Sequence, residues 1–260
     1  MKKEKLPISV CIIGLNEEKK IEECLKSVAN IAEEIIYVDS YSSDSTVDIV
    51  KKYSEKIFYK KFSGFVEQKN YAIEKASNDW ILSLDCDERF TPELEDIIRE
   101  IWAKGENDNQ YVAFRFRRLT YYIYKFIRHS GWYPDKKIRL FNRKYAKWTG
   151  LYLHETVEVK SGNVKDIEKD ILHYSFDSIS DHLKTIDSYS TIGAQELFEK
   201  GRKAGIATII GRTLATGFKK FFLEFSFLDG SAGIILTGLS MAANWAKYAK
   251  LYILNRKHKG

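Results

Sequence analysis

The sequence predicts an α/β fold: a mixed, mostly parallel sheet flanked by helices, followed by a C-terminal helical extension. Three observations lead there. Strand and helix patterns alternate over the first hundred residues, as in a parallel sheet covered on both faces. Strand patterns rich in aromatics and arginine follow from Gln110. From Ser178 onward the chain reads as helix, so 260 residues divide into a catalytic-sized part, 1–175, and a helical part, 176–260.

The elements follow in order. "ISVCIIGL" is a buried strand, and "EEKKIEECLKSVANI" is a helix with Ile21, Leu25 and Val28 on one face. "EEIIYVDS" is a second strand ending in aspartate, and "SSDSTVDIVKKY" opens on a Ser/Asp capping cluster. A short strand "KIFYKK" and a helix over "FVEQKNYAIEKAS" precede the strand "WILSLD". "TPELEDIIREIW" begins a helix with Thr91 as N-cap and Pro92 at its first position. "YVAFRFRRLTYYIYKFI", "KKIRLFN" and "HETVEVK" predict an antiparallel extension of the sheet, and three helical stretches complete the chain.

Composition narrows the class. Charged residues at 30% and hydrophobic ones at 44% describe a globular protein, with a modest net charge of +6. That charge favours anionic partners without choosing one. Three cysteines, Cys11, Cys24 and Cys86, have no zinc or disulfide spacing and suit a reducing compartment. "MKKEKLPISVCIIGLN" reads as a first strand rather than a signal peptide. "SAGIILTGLSMAANWA" falls short of the roughly 20 apolar residues of a spanning helix.

In parallel α/β sheets ligands bind beyond the carboxyl ends of the strands. Three such ends carry polar residues: Asn16-Glu17, Asp39-Ser40, and Asp85 to Glu88. Two aspartates one residue apart, Asp85 and Asp87, suit a hard divalent cation, which prefers oxygen ligands. In an extended backbone they share a side, with Cys86 turned toward packing. Glu88 also fits an acidic cluster facing the dipole of the next helix. An aspartyl-phosphate phosphohydrolase would place such a motif after its first strand, not its fourth. Dinucleotide binding is disfavoured because "GLNEEKK" offers one glycine where G-x-G-x-x-G is needed.

Taken together, "ISVCIIGLNEEKKIEECLKSV", "IIYVDSYSSDSTVDI", "EQKNYAIEKASNDWILSLDCDERFTPEL" and "HETV" resemble family 2 glycosyltransferases of the GT-A fold. Within these the chain is most similar to bacterial lipopolysaccharide-core glucosyltransferases, a likeness that extends through "FLDGSAGI" and the helical C-terminus. The resemblance implies inverting transfer of a hexose from a UDP-sugar to a lipopolysaccharide-core or related saccharide or lipid-linked acceptor. Alternatives are transfer to polyprenyl phosphate and a non-catalytic nucleotide-sugar-binding protein.

It further implies that Asn16, Glu17, Asp39 and Ser40 meet the nucleoside, and that Lys69 approaches the phosphates. Asp85 and Asp87, with His173 as a C-terminal ligand, are the implied holders of Mg²⁺ or Mn²⁺. Glu155 is the expected general base, with Asp135 as runner-up. His154 is expected to orient Glu155 or touch the sugar, and Arg139 to meet phosphate or serve packing. Trp132 is a candidate for sugar stacking or for the core.

A helical tail mixing Phe218, Phe221, Phe222 and Phe225 with Lys219 and Lys220 suits an interfacial amphipathic helix, or one that packs on the catalytic domain or across a homodimer. The expected setting is the cytoplasm, peripheral on the cytoplasmic face of a bacterial inner membrane. Nucleic acid is not an expected partner.

Overall fold

The computed structural model describes residues 4–150 and 155–258, with only the backbone of Asp108 and Asn109. Strands β1 (Leu6–Gly14), β2 (Ala32–Asp39), β3 (Ile57–Tyr59) and β4 (Trp80–Asp85) alternate with helices α1 (Ile21–Val28), α2 (Thr46–Val50) and α3 (Phe65–Glu74). Then come β5 (Glu88–Arg89), α4 (Pro92–Ala103), α5 (Glu106–Asn109), β6 (Ala113–Tyr122), β7 (Lys125–Phe126) and β8 (Asp135–Asn142). The remainder is β9 (Ala146–Thr149), β10 (Thr156–Val159), β11 (Val164–Phe176), α6 (Ile179–Glu199), α7 (Ile206–Phe218) and α8 (Ser231–Lys257). A π-helical turn, Lys219–Leu223, and a 3₁₀ turn, Ser226–Asp229, lie between α7 and α8.

The main sheet runs β3-β2-β1-β4-β8-β6-β11-β5, with β7 beside β6. Its first four strands are parallel, and β8 turns the direction by pairing antiparallel to both β4 and β6. The expected class is therefore observed. Residue alternation explains how one strand feeds two cores. Ile8, Val10 and Ile12 of β1 pack with Leu25 of α1 and Leu94 and Ile98 of α4, while Cys11 turns to Ala72 and Ile73 of α3.

Register decides what the sheet presents. Ile13 of β1 lies opposite Asp85 of β4, and Gly14 opposite Asp39 of β2, so three polar strand ends finish level. The start of α4 follows expectation: Thr91 Oγ1 accepts from the Leu94 amide, with Pro92 in the first turn. At α2 the cap differs in detail, because Asp44 rather than Ser45 accepts from the Thr46 amide.

One expectation fails. "HETVEVK" does not extend the main sheet; β10 pairs with β9 in a separate two-stranded sheet. Trp148 and Val157 of this hairpin are buried against α3. Asn70 of α3 also clamps the Trp148 backbone, donating to its carbonyl at 3.0 Å and accepting from its amide at 3.2 Å. The pull of α3 thus outweighs addition to the sheet edge.

The chain forms two compact units. One runs through Arg118 and resumes at Asp135–Tyr174; the other is Leu119–Pro134 with Ser175 onward. In the second, α6, α7 and α8 form a helical array, and Trp132 packs among Tyr122, Phe176 and His182.

Gly14 is required by close packing. A Cβ there would collide with the Tyr37 hydroxyl and come within 2.8 Å of Cys86 Sγ. We expect Gly14→Ala to cost about 1–3 kcal/mol in urea unfolding, with part of the loss recovered on adding Tyr37→Phe.

Candidate active site

The site gathers at the carboxyl end of β4. After Asp85 the backbone turns instead of staying extended, so the two aspartates do not share one environment. Asp85 meets cations: Oδ1 lies 2.9 Å from Lys69 Nζ and Oδ2 accepts from Arg139 Nη2 at 2.9 Å. Asp87 meets His173, with Oδ2 to Nε2 at 3.3 Å. Cys86 is buried as expected, its thiol donating to the Ile13 carbonyl at 3.1 Å.

Lys69 is only 4% exposed, so it is not a solvated helix residue. Its ammonium sits 4.2 Å from the centre of the Trp148 ring and 4.0 Å from Glu155 Oε1. Glu155 leads into β10, so the separate hairpin is what carries it to the Asp85 end. His154 lies outside the described residues.

Glu88 is fully buried in β5 rather than placed at the start of α4. Its Oε1 accepts from Arg139 Nη2 at 2.6 Å and from Arg118 Nη1 at 3.3 Å, and its Oε2 from the Asp85 amide at 3.2 Å. Arg118 also grips Asp135 through Nε and Nη2, at 2.9 and 2.6 Å. The result is one continuous chain of charges, Lys69–Asp85–Arg139–Glu88–Arg118–Asp135. Burial would raise the Asp85 carboxyl, but Lys69 and Arg139 overrule it and hold it well below the usual carboxylate range. Asp135 behaves alike: Arg118 and Lys137 outweigh its burial and keep it low.

The loops after β1 and β2 are stitched together. Asn16, in the left-handed region at φ 57°, donates its amide to Ser42 Oγ and accepts from the Ser43 amide. Asp39 is fully buried, and both its oxygens accept from Ser42, from the amide at 2.7 Å and the hydroxyl at 2.6 Å. Ser40 Oγ accepts from Gln68 Nε2. The Glu17 amide donates to Thr46 Oγ1. Burial, and then the field of Asp87, push the Glu17 carboxyl up to about 7.

Asp87 and His173 fit a divalent cation as neighbouring donors. Among the described residues no third His, Cys, Asp or Glu completes a protein cage. That suits Mg²⁺ or Mn²⁺, which typically take one or two carboxylates and fill the remaining positions with substrate phosphate and water. His173 lies within β11, opposite Glu88 of β5, rather than beyond a strand end. A separate cleft of about 730 Å³ opens at the other end of β1 and β4, at Pro7, Trp80 and Trp102, and holds none of these charges.

Sequence reasoning missed Arg118 and Trp148. Arg118 had a signal: Phe114, Phe116 and Arg118 alternate on one face, which sets a guanidinium on an apolar side. Trp148 had none, since its place depends on the hairpin docking on α3.

Two outcomes follow. Glu88→Gln should cost about 3–5 kcal/mol in denaturant unfolding, because it leaves the buried Arg139, and the partly exposed Arg118 beside it, short of negative charge. For Glu17, the folded carboxyl keeps a proton that the unfolded chain releases above the ordinary value of 4.5. Stability is therefore lost as pH rises toward about 7 and stays low above it. Thermal melts of Glu17→Gln should show a gain over wild type that widens across this window and then levels.

A family model described as glycosyl transferase family 2 matches residues 9–183. An uncharacterized glycosyltransferase of Rickettsia typhi is 32% identical over 263 residues, covering 97% of this chain and 89% of that one. The lipopolysaccharide core biosynthesis glycosyltransferase LpsC of Rhizobium meliloti is 29% identical over 259 residues, covering 95% and 90%. Among solved structures, residues 1–349 of S. aureus TarS give a loose likeness, with a TM-score of 0.44 at 14% identity over 96% of this chain and 91% of that one. A family match over most of the chain, ending on a helix-flanked mixed sheet with its charges at the carboxyl edge, makes the protein a glycosyltransferase that belongs to glycosyl transferase family 2.

Proposed function

We propose that the chain is an inverting, divalent-cation-dependent hexosyltransferase that uses a UDP-sugar and acts on a lipopolysaccharide-core or related glycoconjugate. The observation that carries this reading is the meeting of Lys69, Asp85 and Glu155 at the end of β4, with Asp87 of the following turn paired to His173 of β11. The name of the Rhizobium meliloti relative supports the choice of acceptor. A saccharide or lipid-linked acceptor of that kind would be met at the cytoplasmic face of the inner membrane.

In this reading the loops after β1 and β2, with Asn16, Glu17, Asp39 and Ser40, receive the nucleoside. Asp39, fully buried with both oxygens held by Ser42, sets the shape of the loop on which the base would lie. Asp87 and His173 hold the cation, which when bound neutralises charge on the leaving diphosphate. Asp85 acts differently, by pinning the side chains of Lys69 and Arg139. Lys69 can then offer its ammonium to the phosphates while staying anchored.

Glu155 removes the proton of the acceptor hydroxyl as its oxygen bonds to the anomeric carbon and the carbon–oxygen bond to UDP breaks. Asp135 is the poorer base, because Arg118 and Lys137 hold its carboxyl low. His154 remains a candidate for orienting Glu155.

Release of UDP from a panel of UDP-sugars, with and without Mn²⁺ or Mg²⁺, tests the scheme. Asp87→Ala should abolish metal-dependent release; turnover without metal in that variant would refute it. Glu155→Gln should lower kcat for transfer by about 10²–10⁴ with donor KM little changed. If Asp135→Asn alone gave that split, the roles of the two carboxylates would be reversed.

A further inference from the structure

The second unit carries an outer surface of the wrong polarity for water. On α7 the exposed positions are Ile206, Ala207, Ile210, Gly211, Leu214, Ala215 and Phe218, with Arg212 the one charge among them. A helix that packs one face on its neighbours should turn polar residues to solvent. Here the inward positions, Ile209 and Gly217, pack inside the unit, and Gly217 sits so close to Met241 of α8 that a Cβ would meet its sulfur at 2.7 Å. The outward stripe of Ile206, Ile210, Leu214, Phe218 and Phe222 is 50–61% exposed and runs roughly 24 Å at 1.5 Å per residue. Beyond it Leu223, Phe225, Phe227 and Leu228 are exposed on and between the π and 3₁₀ turns, and Ile234 and Trp245 on α8.

Charge selects the occupant. The last sixty residues hold ten Lys and Arg against two Asp and Glu, a local +8 in a chain of +6. Both acids are engaged internally. Asp229 is buried and accepts from the Arg128 and His129 amides and from Ser130 Oγ, and Glu224 pairs with Lys219 and Lys220. A second copy docked face to face would set this basic surface against itself. An anionic lipid surface complements it, with apolar side chains in the acyl boundary and lysines and arginines among the headgroups. Among the described residues no helix is long and apolar enough to cross a membrane.

We propose that the α7 stripe and the turns after it form a monotopic docking surface for anionic phospholipid, lying in the interface without spanning it. This deepens the lipid-linked reading of the acceptor, yet it concerns a surface that takes no part in donor chemistry.

Flotation of the full chain with vesicles of phosphatidylglycerol and phosphatidylcholine, against phosphatidylcholine alone, is the test. Wild type should float with the anionic vesicles, several-fold less with the neutral ones, and less in 0.5 M salt (roughly a 4 Å Debye length). Leu214→Gln/Phe218→Gln/Phe222→Gln should lower partitioning at least about tenfold. Its melting temperature should stay within about 2 °C of wild type, because all three side chains already face solvent. Equal flotation of the folded variant, or no flotation of wild type, overturns the proposal. So does a concentration-dependent wild-type dimer that ignores vesicles and that the triple substitution disperses. Flotation needs no nucleotide-sugar, so its failure beside intact UDP release counts against this surface alone, and the reverse pattern counts against the catalytic reading alone.

Discussion

The charge chain at the end of β4, built round the buried Lys69, Arg139 and Glu88, is the constraint on which the site depends. Asp85, Glu88, Arg139 and Lys69 come from two strands of one sheet edge, a short strand beyond a turn, and a helix. Each would be costly to bury alone. Together they neutralise one another, and each fixes where another element must end. Arg139 ties β8 to β4 and β5, and Lys69 ties α3 to β4. Arg118 extends the tie to β6 and to the start of β8. The sheet reverses direction at β8 just where this network crosses it.

The same network separates two aspartates that look equivalent in the sequence. Asp85 is gripped by two cations, whereas Asp87, beyond the turn, lies beside His173 and close enough to Glu17 to raise its carboxyl. Negative potential is thus committed to structure at Asp85 and kept available at Asp87.

The helical unit poses a different physical problem. Its interior follows ordinary packing, with Gly217 of α7 set against Met241 of α8. Its exterior repeats apolar residues every four positions under a surplus of positive charge.

The strand–helix alternation, the helix start at Thr91 and Pro92, and the polar strand ends were all legible in the sequence, because periodicity and capping are local; that those ends finish level was set by the register. Asp85 and Asp87 were legible as candidates from their spacing at a strand end, and Lys69 and Glu155 only through the family resemblance. Their division of labour was not. Which aspartate faces Lys69 depends on a backbone turn after Asp85. Glu155 reaches the site because Trp148 and Val157 pack on α3, and Glu88 is buried because two arginines from other strands converge on it. Residue types and spacing determined the family pattern and the sheet. Only tertiary structure decided the pairings, since a charge takes its partner from whatever the fold brings within a few ångströms.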